Sequence, residues 1–245
     1  MPKIRVCNLY PELLNIYGDR GNTIAVVQRA RWHGLEVEVT DVTLGDRVDF
    51  RQFDILLIGG GQDREQRLIA EDFARVKGSS LHEAVLDGLV VLAICGGYQL
   101  MGRYYQTADG AQLPGLSIFD AWTEAGPTRM VGNVVVETEL FGEPRTLVGF
   151  ENHSGRTFLG PTARPLGRVL KGHGNNGQDG REGVVYRNAI GTYLHGSLLP
   201  KNPHLTDWLL QRALDRRYGG EVQLGRLDDT IEERAHAAMV RRLLR

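Results

Sequence analysis

Over its first hundred residues the chain alternates short apolar runs with stretches of helical periodicity. Residues 4–9, 53–58 and 90–94 are almost wholly apolar, the pattern of strands buried on both faces of a sheet. Residues 35–40 instead alternate Leu and Val with Glu and Thr, as a half-buried strand does. Between these runs the spacing predicts helices. One covers 19–33, with Ile24, Val27, Ala30 and Arg31 on a face and Gly34 closing it. Others cover 63–76, 80–87 (opened by a serine cap) and 98–105. Strands without alternation, separated by helices, predict a parallel sheet covered on both faces.

The pattern changes after Gly115. Residues 131–139 and 146–151 alternate as antiparallel strands, a Gly-rich loop spans 172–183, and 183–194 holds two short strands split at Arg187-Asn188. Closing helices are expected over 202–218 and 228–244. No repeat, low-complexity tract or long linker divides the chain, so one α/β domain over 1–245 is expected.

Composition narrows the classes. The 245 residues are 42% hydrophobic and 24% charged, with a formal net charge of −1. That balance points to no nucleic-acid or anionic-membrane partner. The arginines Arg241, Arg242 and Arg245 read as a solvated helix end. No run approaches the 18 or so apolar residues of a membrane span, and the N-terminus has no signal-peptide core, so a cytoplasmic location is expected. A chain this large has little need of a disulfide between its two cysteines, Cys7 and Cys95.

The candidate chemistry centres on Val90-Val91-Leu92-Ala93-Ile94-Cys95-Gly96-Gly97-Tyr98-Gln99. An apolar strand ends at Cys95, two glycines follow, and a helix begins. This puts a thiol at the carboxyl end of a sheet strand and at a helix N-terminus, where thiolate is favoured. Gly96 and Gly97 are expected to let the backbone turn and to expose amides to an oxyanion. Cys7, inside an apolar strand, reads as a structural thiol. Among seven histidines, His195 stands out as a base because it too follows a strand, with Gly196 after it; His153 is the competitor. His33, His82, His204 and His236 read as surface residues and His173 as a loop residue. No histidine pair has metal-ligand spacing, so no metal site is expected.

The elbow at Cys95 together with Tyr193-Leu194-His195-Gly196 resembles the class I glutamine amidotransferases of the cobyric acid synthase type. Within that group the chain most resembles the glutaminase subunits of lipid II isoglutaminyl synthases. Supporting segments run almost end to end: Leu9-Tyr10-Pro11, the stretch from Asn15 to Asn22, Gly59-Gly60-Gly61-Gln62-Asp63, Arg129-Met130-Val131-Gly132-Asn133 and Gly149-Phe150-Glu151-Asn152-His153. The resemblance implies the α/β class I amidotransferase fold, a flavodoxin-like parallel sheet covered by helices with antiparallel additions in the second half, and a role for each matched residue. Cys95 would attack the side-chain amide of L-glutamine, and His195 would take the thiol proton and return it to ammonia. Gly96, Gly60 and Gly61 would supply oxyanion amides. Arg129 would bind the α-carboxylate, and Gln99, Asn152 and His153 would line the site.

Many class I members carry His-x-Glu, whose acid orients the histidine. Here Gly196 and Ser197 follow His195. The resemblance then implies an acid contributed by a partner, and a subunit poorly active alone. It also implies that the partner is a Mur-ligase-like synthetase forming a heterodimer, and that ATP and magnesium bind there, with no cofactor on this chain; no phosphate-cradling Gly-rich loop with Lys-Ser/Thr is present. Two alternatives stay open: a glutaminase serving another acceptor such as a corrinoid, and a non-catalytic interaction subunit.

Overall fold

The computed structural model describes residues 1–245. The apolar runs form a central sheet as their lack of alternation requires. Strands β1 (Lys3–Leu9), β2 (Glu36–Val42), β3 (Ile55–Ile58) and β4 (Val90–Ile94) are parallel. The chain threads through α1 (Arg20–Trp32) between β1 and β2, and through α2 (Asp63–Asp72) and α3 (Gly78–Leu86) between β3 and β4. After β4 come α4 (Gly96–Met101) and the small strands β5 (Tyr104–Gln106) and β6 (Gln112–Pro114). Two long strands, β7 (Ala121–Thr138) and β8 (Arg145–Leu159), then pair antiparallel and found a second sheet with β9 (Gly167–Lys171) and β10 (Arg181–Glu182). The chain returns to the first sheet through β11 (Val184–Tyr186) and β12 (Ala189–Thr192), giving the order β11-β12-β4-β3-β1-β2. Helices α5 (Leu198–Lys201), α6 (Pro203–Tyr218) and α7 (Thr230–Leu243) finish the fold. No helix is long and apolar enough to cross a membrane.

Several local expectations are corrected by tertiary contacts. The buried face of α1 is Asn22, Val26, Arg29 and Ala30, while Ile24 is exposed. The rotation follows from Arg29, which bonds Asp207 and Asp229 with two nitrogens each at 2.5–2.8 Å and so pins α1 to α6 and to the start of α7. His33 is buried with it, on Asp207 at 3.0 Å, not on the surface. No serine caps α3: the helix runs on from a π-turn over Phe73–Lys77, and Ser80 bonds Val48 O and Phe50 N instead. The π-turn seats Lys77 on Asp72 at 2.5 Å, where Tyr10 also donates. The helix expected over 98–105 stops at Met101, and Tyr104 and Tyr105 belong to β5. It ends at Gly102, whose backbone is extended (φ −74°, ψ −165°) and whose missing Cβ lets it pack close to Ala121 O.

The two sheets meet where β12 leaves the first one. His195 exchanges backbone hydrogen bonds with Phe150 of β8 (2.7 and 3.2 Å), so a residue following a parallel strand is clamped to an antiparallel one. Glu182 braces this junction from inside: its carboxylate accepts from Thr192 Oγ1 (2.6 Å) and Tyr193 N–H (2.7 Å), while Oε2 is buried without a partner. Burial pushes the Glu182 carboxyl up to about 7. The folded chain therefore binds a proton more tightly than the unfolded chain, and this site loses stability as pH rises from about 4.5 to about 7. The loss is on the order of 3 kcal/mol. Urea unfolding of wild type and Glu182→Gln between pH 5 and 8 checks this: the variant is expected to gain on wild type as pH rises, and a constant gap contradicts it.

Candidate active site

Cys95 follows β4 directly and adopts φ 49°, ψ −103°, a conformation costly for a residue with a side chain. Surrounding bonds hold it there: its N–H donates to Thr192 O (2.9 Å), and its carbonyl accepts from Gln99 N (2.9 Å). The sharp turn is thus made by the cysteine itself. Gly96 and Gly97, expected to supply it, have no positive φ and serve close approach instead. A Cβ on Gly96 would stand 2.9 Å from Gly61 N, and one on Gly97 would stand 2.8 Å from Ile58 Cγ1.

His195 reaches the same point from β12. A Cβ on Gly60 would lie 2.8 Å from His195 Cε1 and 3.2 Å from Cys95 Cβ, so the expected nucleophile and base converge on one glycine. His195 is fully buried and Cys95 is 5% exposed. The Nδ1 of His195 faces Asp19 Oδ1 at 3.4 Å. That leaves Nε2, buried and without a hydrogen-bond partner, as the ring nitrogen available to the thiol. Burial alone would strip the imidazolium of its proton. The negative charges of the Cys95 sulfur and the Asp19 carboxylate outweigh it and hold the His195 pKa well above the usual range. His195 therefore keeps its proton beside the Cys95 sulfur and the Asp19 carboxylate. Because α4 spans only six residues, its dipole is a minor contributor beside this pairing.

The expected oxyanion amides divide. The Gly60 N–H is committed to Asp19 Oδ2 at 2.7 Å, so Gly60 contributes space, not a donor. The Gly61 N–H has no acceptor in the chain. The Gly96 N–H, first amide of α4, has no preceding helical turn to bond to. These two lie side by side beyond Cys95 and are the donors the geometry leaves free.

Beside the thiol lies a cavity of about 270 Å³ lined by Cys95, Gln99, Arg129, Asn152, His153 and Gly61, among others. Arg129 sits where β7 slips register against β8. Its Nε donates to Asn152 Oδ1 (2.9 Å) and its Nη2 to Asn152 O (3.0 Å) and Tyr17 OH (3.3 Å). Asn152 thus steadies the guanidinium. Gln99 is buried: its Oε1 accepts from Gln66 Nε2 (3.0 Å) and its Nε2 donates to Tyr193 OH (3.0 Å). His153 is buried flat against Tyr193, ring centroids 3.5 Å apart, with Nδ1 on Gly155 O. His173, the loop histidine, bonds the buried Glu151 carboxylate at 2.6 Å, which anchors its glycine-rich loop away from the thiol. Cys7 is buried in β1, and both cysteines are free.

Sequence reasoning assigned no role to Asp19, Tyr17 or Gln66. The first two lie in the segment Asn15–Asn22, which carried the resemblance but no chemistry. Tyr17, at φ 54°, places its ring edge-on to His195 with centroids 5.1 Å apart.

The sequence profile of the CobB/CobQ-like glutamine amidotransferase domain matches residues 5–203. The chain belongs to that family. Among curated CobB/CobQ-like relatives, subunit GatD of lipid II isoglutaminyl synthase (glutamine-hydrolysing) from Staphylococcus aureus is 41% identical over 242 residues, which cover 99% of this chain and 97% of that protein. Its namesake from Streptococcus pneumoniae is 41% identical, covering 94% and 88%. Among solved structures, PurLQS from Thermotoga maritima aligns with TM-score 0.59 at 16% identity over 87% of this chain and 98% of that one. The glutaminase domain of Trypanosoma brucei CTPS aligns at 0.53 and 11%, covering 91% and 96%. These distant structures share the class I glutamine amidotransferase fold, a parallel sheet with an antiparallel second sheet.

The tight wall at Gly60 yields a measurement independent of any substrate. Gly60→Ala is expected to slow alkylation of Cys95 by iodoacetamide by roughly tenfold or more, because the added methyl displaces the imidazole that would take the thiol proton. Alkylation at the wild-type rate contradicts the convergence of the two side chains on this glycine.

Proposed function

We propose that this chain is the glutamine-hydrolysing subunit of a lipid II isoglutaminyl synthase. The observation that carries the reading is a buried Cys95–His195 pair beside a cavity of amino-acid size, within a chain 41% identical to such a subunit along 97% of that subunit's length. Cys95 thiolate attacks the side-chain carbonyl carbon of L-glutamine, and Gly61 and Gly96 amides receive the oxyanion. The His195 imidazolium gives its proton to the departing ammonia as the tetrahedral adduct collapses to a glutamyl thioester. Neutral His195 then accepts a proton from water as that water attacks the thioester, and glutamate leaves with the thiolate regenerated. Arg129, braced by Asn152, takes the α-carboxylate, and Gln99 and His153 wall the site.

The ammonia acceptor belongs to a second subunit. On this reading it is a Mur-ligase-like synthetase that holds ATP and magnesium, activates the α-carboxyl of D-glutamate in lipid II, and forms a heterodimer with this chain. A corrinoid acceptor is less well supported: a cobyric acid synthase relative from Pelotomaculum thermopropionicum matches over only 58% of this chain and 31% of its own length.

The reading is tested by glutamate release from glutamine, with the chain alone and with the synthetase. Release is expected with the partner and none from Cys95→Ala; a Cys95→Ala complex that still hydrolyses glutamine removes the enzymatic reading. Arg129→Lys keeps the charge but loses the planar fork. It is expected to raise KM for glutamine by roughly tenfold with kcat changed less, since a charge-assisted hydrogen bond contributes about 1.5–3 kcal/mol. An unchanged KM excludes Arg129 from the carboxylate site.

A further inference from the structure

Arg129 answers one end of an amino acid and leaves the other unanswered. The α-carboxylate and α-ammonium of L-glutamine sit on the same carbon, so a cavity that takes up the carboxylate brings a cation in beside it. A cation removed from water needs acceptors and an opposite charge. Among the residues lining the cavity, Arg64 and Arg129 are cations and Asp63 is the one acid. His153 offers no charge, since burial holds its imidazole neutral. Gln99 Oε1, which already accepts from Gln66 Nε2, keeps a second lone pair but is neutral as well.

Asp63 is the first residue of α2, where an acid ordinarily serves the helix end. That end is already closed, because Gln62 and Glu65 form a reciprocal capping box. The Asp63 carboxylate is held from another element: its Oδ1 accepts from Tyr105 OH of β5 at 2.8 Å. Tyr105 is buried and lines the same cavity. Burial and the bond to Asp63 raise its hydroxyl far above the ordinary phenol range, so it stays a donor. One oxygen of Asp63 is thereby fixed, and the other has no partner in the chain.

We infer, on the glutaminase reading, that Asp63 receives the α-ammonium of L-glutamine and makes the site specific for an α-amino acid over a simple amide. Gln99 Oε1 supplies a neutral acceptor to the same ammonium, and Asp63 supplies the charge. The loop after β3 then serves both ends of the substrate. Gly61 offers its free amide to the reacting carbonyl, and Asp63, two residues on, holds the α-carbon in place.

The decisive comparison is between L-glutamine and glutaramate, which is glutamine without its α-amino group. Asp63→Asn keeps an oxygen for the Tyr105 hydroxyl and removes only the charge. In the complex with the synthetase, the variant is expected to raise KM for glutamine roughly tenfold with kcat within about threefold, as loss of a charge-assisted contact does. Its kcat/KM for glutaramate is expected to stay within about twofold of wild type, so the preference for glutamine falls about tenfold. An undiminished preference, whether both substrates suffer equally or neither does, overturns the assignment; Asp63 then serves only the end of α2.

Protection of Cys95 from iodoacetamide reads binding without turnover. If the wild-type complex releases no glutamate, the glutaminase reading fails. A half-protecting glutamine concentration raised about tenfold in Asp63→Asn, with that of glutaramate unchanged, still supports Asp63 as the ammonium's partner. Equal half-protecting concentrations in the two proteins, or no protection of wild type by glutamine, overturn it.

Discussion

The site depends on five places where no side chain can be tolerated. Gly59, Gly60, Gly61, Gly96 and Gly97 all lack positive φ, so none is required for an unusual backbone turn. Each is required for proximity. A Cβ would strike Leu14 O at Gly59, His195 at Gly60, a Leu14 methyl at Gly61, the Gly61 amide at Gly96, and Ile58 at Gly97. Two loops from neighbouring strands are thereby pressed together until a thiol, an imidazole and two free amides share one small volume. The sharp turn falls instead on Cys95, the expected nucleophile, held by bonds to Thr192 and Gln99 on either side.

That compression decides the electrostatics. In water the proton would favour the thiol, whose ordinary pKa lies about two units above that of imidazole; buried, a lone charge of either sign would be costly. An imidazolium with the sulfur on one side and a carboxylate on the other offsets that cost. The proton therefore rests on His195, and in the proposed reaction the base expected from sequence acts first as an acid toward ammonia. Only after ammonia departs does it act as a base toward water.

What was legible in the sequence was local or periodic. The strand-Cys-Gly-Gly elbow, the parallel strands and the break to alternating patterns after Gly115 can be read within a window of a dozen residues, and they hold. The failures are all tertiary. The face of α1 is set by Arg29 reaching Asp207 and Asp229, which lie far along the chain. Ser80 has the composition of a cap, but a π-turn carries the helix past it. Residues 104 and 105 have helical periodicity and are drawn into β5 by β6 and β7. Asp19 is 176 residues from His195, and at a helix start it reads as an ordinary cap. Arg129, Asn152, Gln99 and His153 were found only through resemblance; their contacts give each a neighbour but no ligand.

The segment from Asn15 to Asp19 links two tasks that catalysis must keep in step. Tyr17 accepts from Arg129 at the cavity rim and sets its ring against His195; Asp19, two residues on, holds the same imidazole from behind. Ile16 N–H donates to Gly60 O, so the segment also grips the loop beside the thiol. A carboxylate arriving at Arg129 competes directly for the guanidinium that Tyr17 contacts. Any resulting shift of the short segment is felt at the base and at the cavity wall together. A glutamate placed after the histidine would orient the imidazole with no connection to the substrate end of the site. Because the loop that touches Arg129 also sets a carboxylate against His195, the fold has a physical route by which filling the cavity bears on the imidazole.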